Sequence, residues 1–167
     1  MLSVSLVFVG ITLFLNGLIE LCNYDKKNLI VVNGFTGSII FIFNIYQLVM
    51  RGTPQIDISS LGGLLFALTN IFIFFDVMFK IDNKPFGWFC LFASLIAVFL
   101  GIYYFTISNI LLGILWFVWL LIWLFTFIGF AVTPKFKTAC YYMFIIQGIT
   151  STFGIGILSL FQIITLV

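Results

Sequence analysis

Residues 114–125 read "ILWFVWLLIWLF". The stretch carries no charge and holds three of the chain's four tryptophans, Trp116, Trp119 and Trp123. Its apolar residues run on without alternating, so it is neither a half-buried strand nor a strand of a membrane barrel. Extended to 110–130, it has roughly the 20 residues that a helix needs to cross about 30 Å of hydrocarbon. Membrane proteins ordinarily keep Trp in belts at the water interface. Three at mid-depth on one helix therefore need a local explanation.

The rest of the chain repeats the pattern. It has 167 residues, of which 63% are hydrophobic and 7% charged, and a mean hydropathy of +1.31. A soluble surface needs far more charge. An all-α integral membrane protein is predicted, with one domain over 1–167. Six apolar stretches, 2–22, 29–50, 61–79, 85–107, 110–130 and 139–165, are each long enough to span. The connections between them are short. The first stretch begins at Met1 without a basic flank or a cleavage site, so it reads as a retained helix. A net charge of +2 is too small to attract nucleic acid. Cys22, Cys90 and Cys140 are far apart and in or beside apolar runs, where packing is their expected role. With no histidine and no CxxC, neither a metal nor a cofactor is expected.

Lysines set the orientation. Lys26, Lys27, Lys80, Lys84, Lys135 and Lys137 all lie in or at the edges of the first, third and fifth connections, against Arg51 alone in the second. By the positive-inside rule these odd connections are cytoplasmic, and both termini face outward.

The odd spans align without gaps: "LVFVGITLFLN" (6–16), "FALTNIFIFFD" (66–76) and "WFVWLLIWLFT" (116–126). Leu6, Phe66 and Trp116 share one position, followed by Val9, Thr69 and Trp119, then Leu13, Ile73 and Trp123, then Asn16, Asp76 and Thr126. All three run in the same direction, which predicts a pseudo-threefold repeat of helical hairpins about an axis along the membrane normal. The odd spans would face a common centre. On a helix the three tryptophans fall within about 60° of each other and span about 10 Å. Each indole brings one N–H donor. That face is either a bulky helix–helix seam or the wall of a pathway for a flat, neutral, hydrogen-bonding solute, because an ion would need compensating charge. Asn16, Asn70 and Gln147 offer both a donor and an acceptor within the spans; interhelical bonding is the alternative use. Asp76 and Glu20, near the lysine-rich ends, read as interfacial, with Asp76 spaced to pair with Lys80. Asn33, Gly34, Gly37 and Ser38, and Gly148, Thr152 and Gly156, read as small-residue packing faces.

Taken in order, "LVFVGITLFLNGL", "LLFALTNIFIFF" with "KPFGWFCLFA", and "WFVWLLIWLFTF" with "FIIQGIT" resemble the segments of the AmiS/UreI family of urea and short-chain amide channels. The resemblance runs nearly end to end. It implies a twisted six-helix protomer, both termini outside a bacterial inner membrane, and a homo-hexamer with one pore per protomer. It implies that Trp116, Trp119 and Trp123 are pore tryptophans, with Leu6, Val9, Leu13, Phe66 and Thr69 lining a narrow passage. Asn70 falls where an acid-gated relative has a pore tyrosine, and Gln147 where it has a pore glutamate. A cytoplasmic urease is a functional partner by resemblance alone.

The expected function is a passive urea channel, with a short-chain amide channel as the alternative and a non-transporting assembly subunit as a second. A membrane enzyme is disfavoured because no nucleophile–base pair or carboxylate cluster is present. The absence of histidine predicts a flux nearly independent of pH between about 5 and 8.

Overall fold

The protein is described by a computed structural model covering residues 2–51 and 54–166, with side chains for 2–50 and 58–166. Seven α-helices follow in order: α1 (Leu2–Leu21), α2 (Lys27–Arg51), α3 (Pro54–Phe79), α4 (Lys84–Thr106), α5 (Ile110–Phe127), α6 (Lys137–Gln147) and α7 (Ile155–Leu160). A π-helical stretch, Ile128–Val132, continues α5, and another, Gly148–Gly154, joins α6 to α7. This makes six crossings that are long and apolar enough to span a membrane. Among the described residues there is no strand. The all-α, six-helix reading of the sequence holds.

Two boundaries differ from expectation. The second connection, expected over 51–60, is helical again from Pro54, since a proline is pre-organised for the first helical turn. Thr53 and the side chains of Arg51 and Asp57 lie outside the described residues. The sixth crossing ends at Leu160 rather than 165. Gln162 adopts φ 58°, and the apolar tail folds back until the Leu166 carbonyl accepts from Asn109 Nδ2 at 2.7 Å. The same Asn109 caps α5, its Oδ1 accepting from Leu112 N at 3.1 Å.

Four helix ends share one device. Asn23, Lys80, Ser108 and Gln162 all have positive φ. The next residue's N–H then reaches back five positions: Tyr24 to Ile19 O at 2.9 Å, Ile81 to Asp76 O at 3.2 Å, Asn109 to Tyr104 O at 2.9 Å and Ile163 to Leu158 O at 2.9 Å. Such left-handed caps satisfy carbonyls that the helix itself leaves open. One expected contact is lost in the process. Because Lys80 is turned out of the helix, the i,i+4 pair with Asp76 does not form. The ion pair found among the described residues is Lys26–Glu20, at 3.0 Å.

The closest helix pairs are α2 with α3, α4 with α5, and α1 with the α6–α7 crossing. They are joined through the connections that lack lysine, or split across the two chain ends, so the tight pairs are offset by one helix from the lysine-linked hairpins. Small residues allow the close approach. A Cβ on Gly37 would stand 3.1 Å from Ile71 N and 3.2 Å from Ala67 O. A Cβ on Gly148 would stand 2.8 Å from Phe14 N and 2.9 Å from Gly10 O. Gly101 and Gly113 receive the rings of Phe117 and Phe105 in the same way. Of the predicted packing faces only Ser38 points outward; its neighbour Thr36 is buried and shares a hydrogen bond with Thr12 at 2.7 Å.

Candidate solute path

The three odd helices bury their aligned faces together at the centre of the bundle. Phe66 of α3 stands against all three indoles of α5, its ring centroid 6.1 Å from Trp116, 5.3 Å from Trp119 and 5.0 Å from Trp123. Trp116 and Trp123 are nearly parallel, 13° apart at 6.4 Å. Trp119 stands edge-on to Trp116, at 85° and 5.2 Å. These are favoured edge and offset geometries for aromatic pairs. All three indoles are buried, Trp119 completely.

Their N–H groups are treated differently. Trp123 Nε1 donates to Thr69 Oγ1 at 3.0 Å, and that hydroxyl donates onward to Leu65 O at 2.7 Å. Trp116 Nε1 and Trp119 Nε1 are buried and have no partner among the described residues. An unmet buried donor costs about 1–3 kcal/mol. At membrane depth no lipid acceptor can relieve it. Gln147 leaves its Oε1 buried and, among the described residues, unpartnered as well, while its Nε2 rests on Met143 Sδ at 3.1 Å.

A hollow opens at each end of this aromatic cluster. At the end without lysines, Leu6, Val9 and Phe66 join Ser5, Asn44 and Ser59 around a space of about 20 Å³, enough for about one water. At the lysine-rich end a larger cavity of about 490 Å³ reaches inward to Asn16, Ile73, Phe86 and Phe144. Three carboxylates (Glu20, Asp25, Asp76) and three ammonium groups (Lys26, Lys27, Lys80) line its mouth. The charges balance in number, so neither sign of ion is favoured overall. Phe66 lines the smaller hollow, and the three tryptophans line neither.

Among the candidate residues, Leu6, Val9, Phe66, Thr69, Trp116, Trp119 and Trp123 come together in this way. Leu13 is buried on α1 against the Gly148 backbone, next in sequence to Gln147. Asn16 lines the larger cavity but is bound reciprocally to Asn33: its Nδ2 donates to Asn33 Oδ1 at 2.9 Å and its Oδ1 accepts from Asn33 Nδ2 at 2.7 Å. It therefore serves first as an α1–α2 clamp. Asn70 turns its Nδ2 back to Phe66 O on its own helix at 2.7 Å. Its location at the level of the aromatic cluster follows from Phe66 and Thr69 rather than from a contact to an indole.

Sequence reasoning missed the aromatic floor of the larger cavity, Phe86, Phe130, Tyr141 and Phe144. These residues come from three separate segments, α4, the π stretch after α5, and α6. Nothing in their spacing distinguishes them among 23 phenylalanines and six tyrosines.

Similarity to known proteins supports the transport reading of this geometry. The chain is 28% identical over 123 residues to the putative transporter protein AmiS2 of Rhodococcus erythropolis, a match covering 72% of this chain and 60% of that protein. It is 29% identical over 113 residues to the acid-activated urea channel of Helicobacter pylori, covering 57% of this chain and 58% of that one. The chain thus matches about three-fifths of the length of each of these relatives. Its fold superposes on a cryo-EM structure of the Helicobacter pylori urea channel in a closed state, with a TM-score of 0.85, 24% identity, and coverage of 99% and 100% of the two chains. Residues 1–163 match the AmiS/UreI transporter family as a whole. A six-crossing membrane chain matched over that length belongs to the AmiS/UreI family, a family of transporters and not of enzymes.

Proposed function

We propose that this chain is a passive channel for urea, acting as one six-helix unit over 1–167. The observation that carries the reading is the pair of buried indole donors, Trp116 Nε1 and Trp119 Nε1, that find no partner among the described residues and are packed against Phe66. A urea carbonyl supplies the acceptor these donors lack, and its flat body fits against ring faces. Leu6 and Val9 form the entry with Phe66. Leu13, Thr69 and Asn70 flank the constriction with Trp123, Asn16 meets the solute on leaving it, and Gln147 Oε1 accepts from a urea amide. The Phe66 ring touches all three indoles, so passage requires it or an indole to swing aside. An ion is refused because uncharged rings cannot replace its water.

The lysine-rich end faces the cytoplasm of a bacterial cell, by the positive-inside rule. Family resemblance supports a homo-hexamer with one path per protomer, and a cytoplasmic urease that keeps the gradient inward. Stopped-flow light scattering on proteoliposomes tests the proposal with urea, acetamide and glycerol as solutes. Urea should enter well above the rate of empty vesicles and faster than glycerol. Acetamide entering faster than urea would turn the assignment to an amide channel. No solute exceeding the empty-vesicle rate would make this an assembly subunit.

A further inference from the structure

The larger cavity has features that passage of a neutral solute does not use. Asp76 lines it from α3 and, among the described residues, forms no ion pair: Lys80, the partner expected from spacing, leaves the helix at φ 52° and lines the cavity without closing on it. Glu20, by contrast, is already committed to Lys26. The same cavity is lined by the rings of Phe86, Phe130, Tyr141 and Phe144. One of these already attracts a cation: Lys137 Nζ lies 4.7 Å from the Phe130 centroid. A carboxylate outside any ion pair in a cavity also lined by aromatic rings is a recognition set for a planar cation, held by two parallel N–H···O bonds at one edge and by ring faces on its sides. The cavity, at about 490 Å³, is of the size that encloses small organic ligands.

We propose that this cavity binds amidinium and guanidinium cations, the charged relatives of urea's planar frame, through Asp76 and the Phe86–Phe130–Tyr141–Phe144 floor. Such a cation reaches the aromatic cluster from the lysine-rich end and stops there, because the rings beyond offer no charge to replace its water. Bound, it blocks the path. The block rests on the channel reading above; the binding does not, so the two can fail separately.

Isothermal titration of the detergent-solubilised protein at about pH 8, well above the carboxylate range, decides the binding. Benzamidine chloride should bind about tenfold more tightly than benzamide, its neutral counterpart, and Asp76→Asn should abolish that preference. Equal affinity for the two compounds, or an unchanged preference in Asp76→Asn, overturns the proposal, as does the absence of any benzamidine binding. If Asp76→Asn does not elute like the parent protein, Lys80→Met decides: removing the competing cation at the cavity should tighten benzamidine binding about threefold, and unchanged or weaker binding overturns the assignment. Proteoliposome flux then reads the block. Benzamidine at the lysine-rich side should slow urea entry, while binding without slowing would retain the site and refute the path.

Discussion

Replacing Trp119 and Trp123 by phenylalanine, one at a time, separates a solute path from a packing seam. Both indoles are essentially fully buried on one face of α5, so each substitution removes the same few ring atoms, a packing loss of about 2 kcal/mol at roughly 0.8 kcal/mol per buried CH₂-sized group. The polar contributions differ. Trp123→Phe also loses the 3.0 Å bond to Thr69, about 1 kcal/mol more. Trp119→Phe instead deletes a donor that has no partner, which returns about 1–3 kcal/mol. Destabilisation should therefore come to about 3 kcal/mol for Trp123→Phe and close to zero for Trp119→Phe. Flux should order the other way. If the Trp119 N–H bonds to urea in transit, at a net value of about 0.5–1.5 kcal/mol, its loss slows entry by about twofold to about tenfold. Denaturation in detergent gives the stabilities, and stopped-flow urea uptake gives the rates. A Trp119→Phe protein destabilised as much as Trp123→Phe, with undiminished flux, would refute the reasoning and leave a seam.

Gly148→Val should prevent the α1–α6 approach, because even a Cβ there meets Phe14 N at 2.8 Å; size-exclusion chromatography should show loss of the folded species. Asn16→Leu leaves Asn33 Oδ1 without its donor, although Asn33 Nδ2 keeps Leu29 O, and should cost about 1–3 kcal/mol, whereas Asn16→Leu with Asn33→Leu should recover most of it, which a double-mutant cycle of melting measures. Cysteines placed at Lys27, Lys84 and Lys137 should resist an impermeant thiol reagent on intact cells and react in inverted vesicles. Urea flux should differ by less than about threefold between about pH 5 and about pH 7.5, as the chain has no histidine; a steeper acid activation in proteoliposomes would reveal a gate.

What the sequence determined follows from the solvent. A bilayer demands about 20 apolar residues per crossing, and sorts lysine to one side, and both demands act on one segment at a time. Six crossings and the lysine asymmetry were therefore legible from composition and order alone. So was the common face of Trp116, Trp119 and Trp123, since helical geometry places residues three and four apart together. Partnership is another matter, because it joins segments that are distant in the chain. Three chemically identical indoles meet different fates: Thr69, 54 positions away, answers Trp123, while nothing among the described residues answers Trp116 or Trp119. Asn16, which by residue type suits a solute as well as a neighbour, is claimed by Asn33. Asp76 has a lysine at ideal spacing and loses it to a left-handed helix cap. The tight pairs α2–α3, α4–α5 and α1–α6 were likewise set by where glycines on one helix met backbone or rings on another. Periodicity states which side of a helix a residue occupies; only the packed bundle decides what stands opposite, and a buried hydrogen bond depends on that second fact.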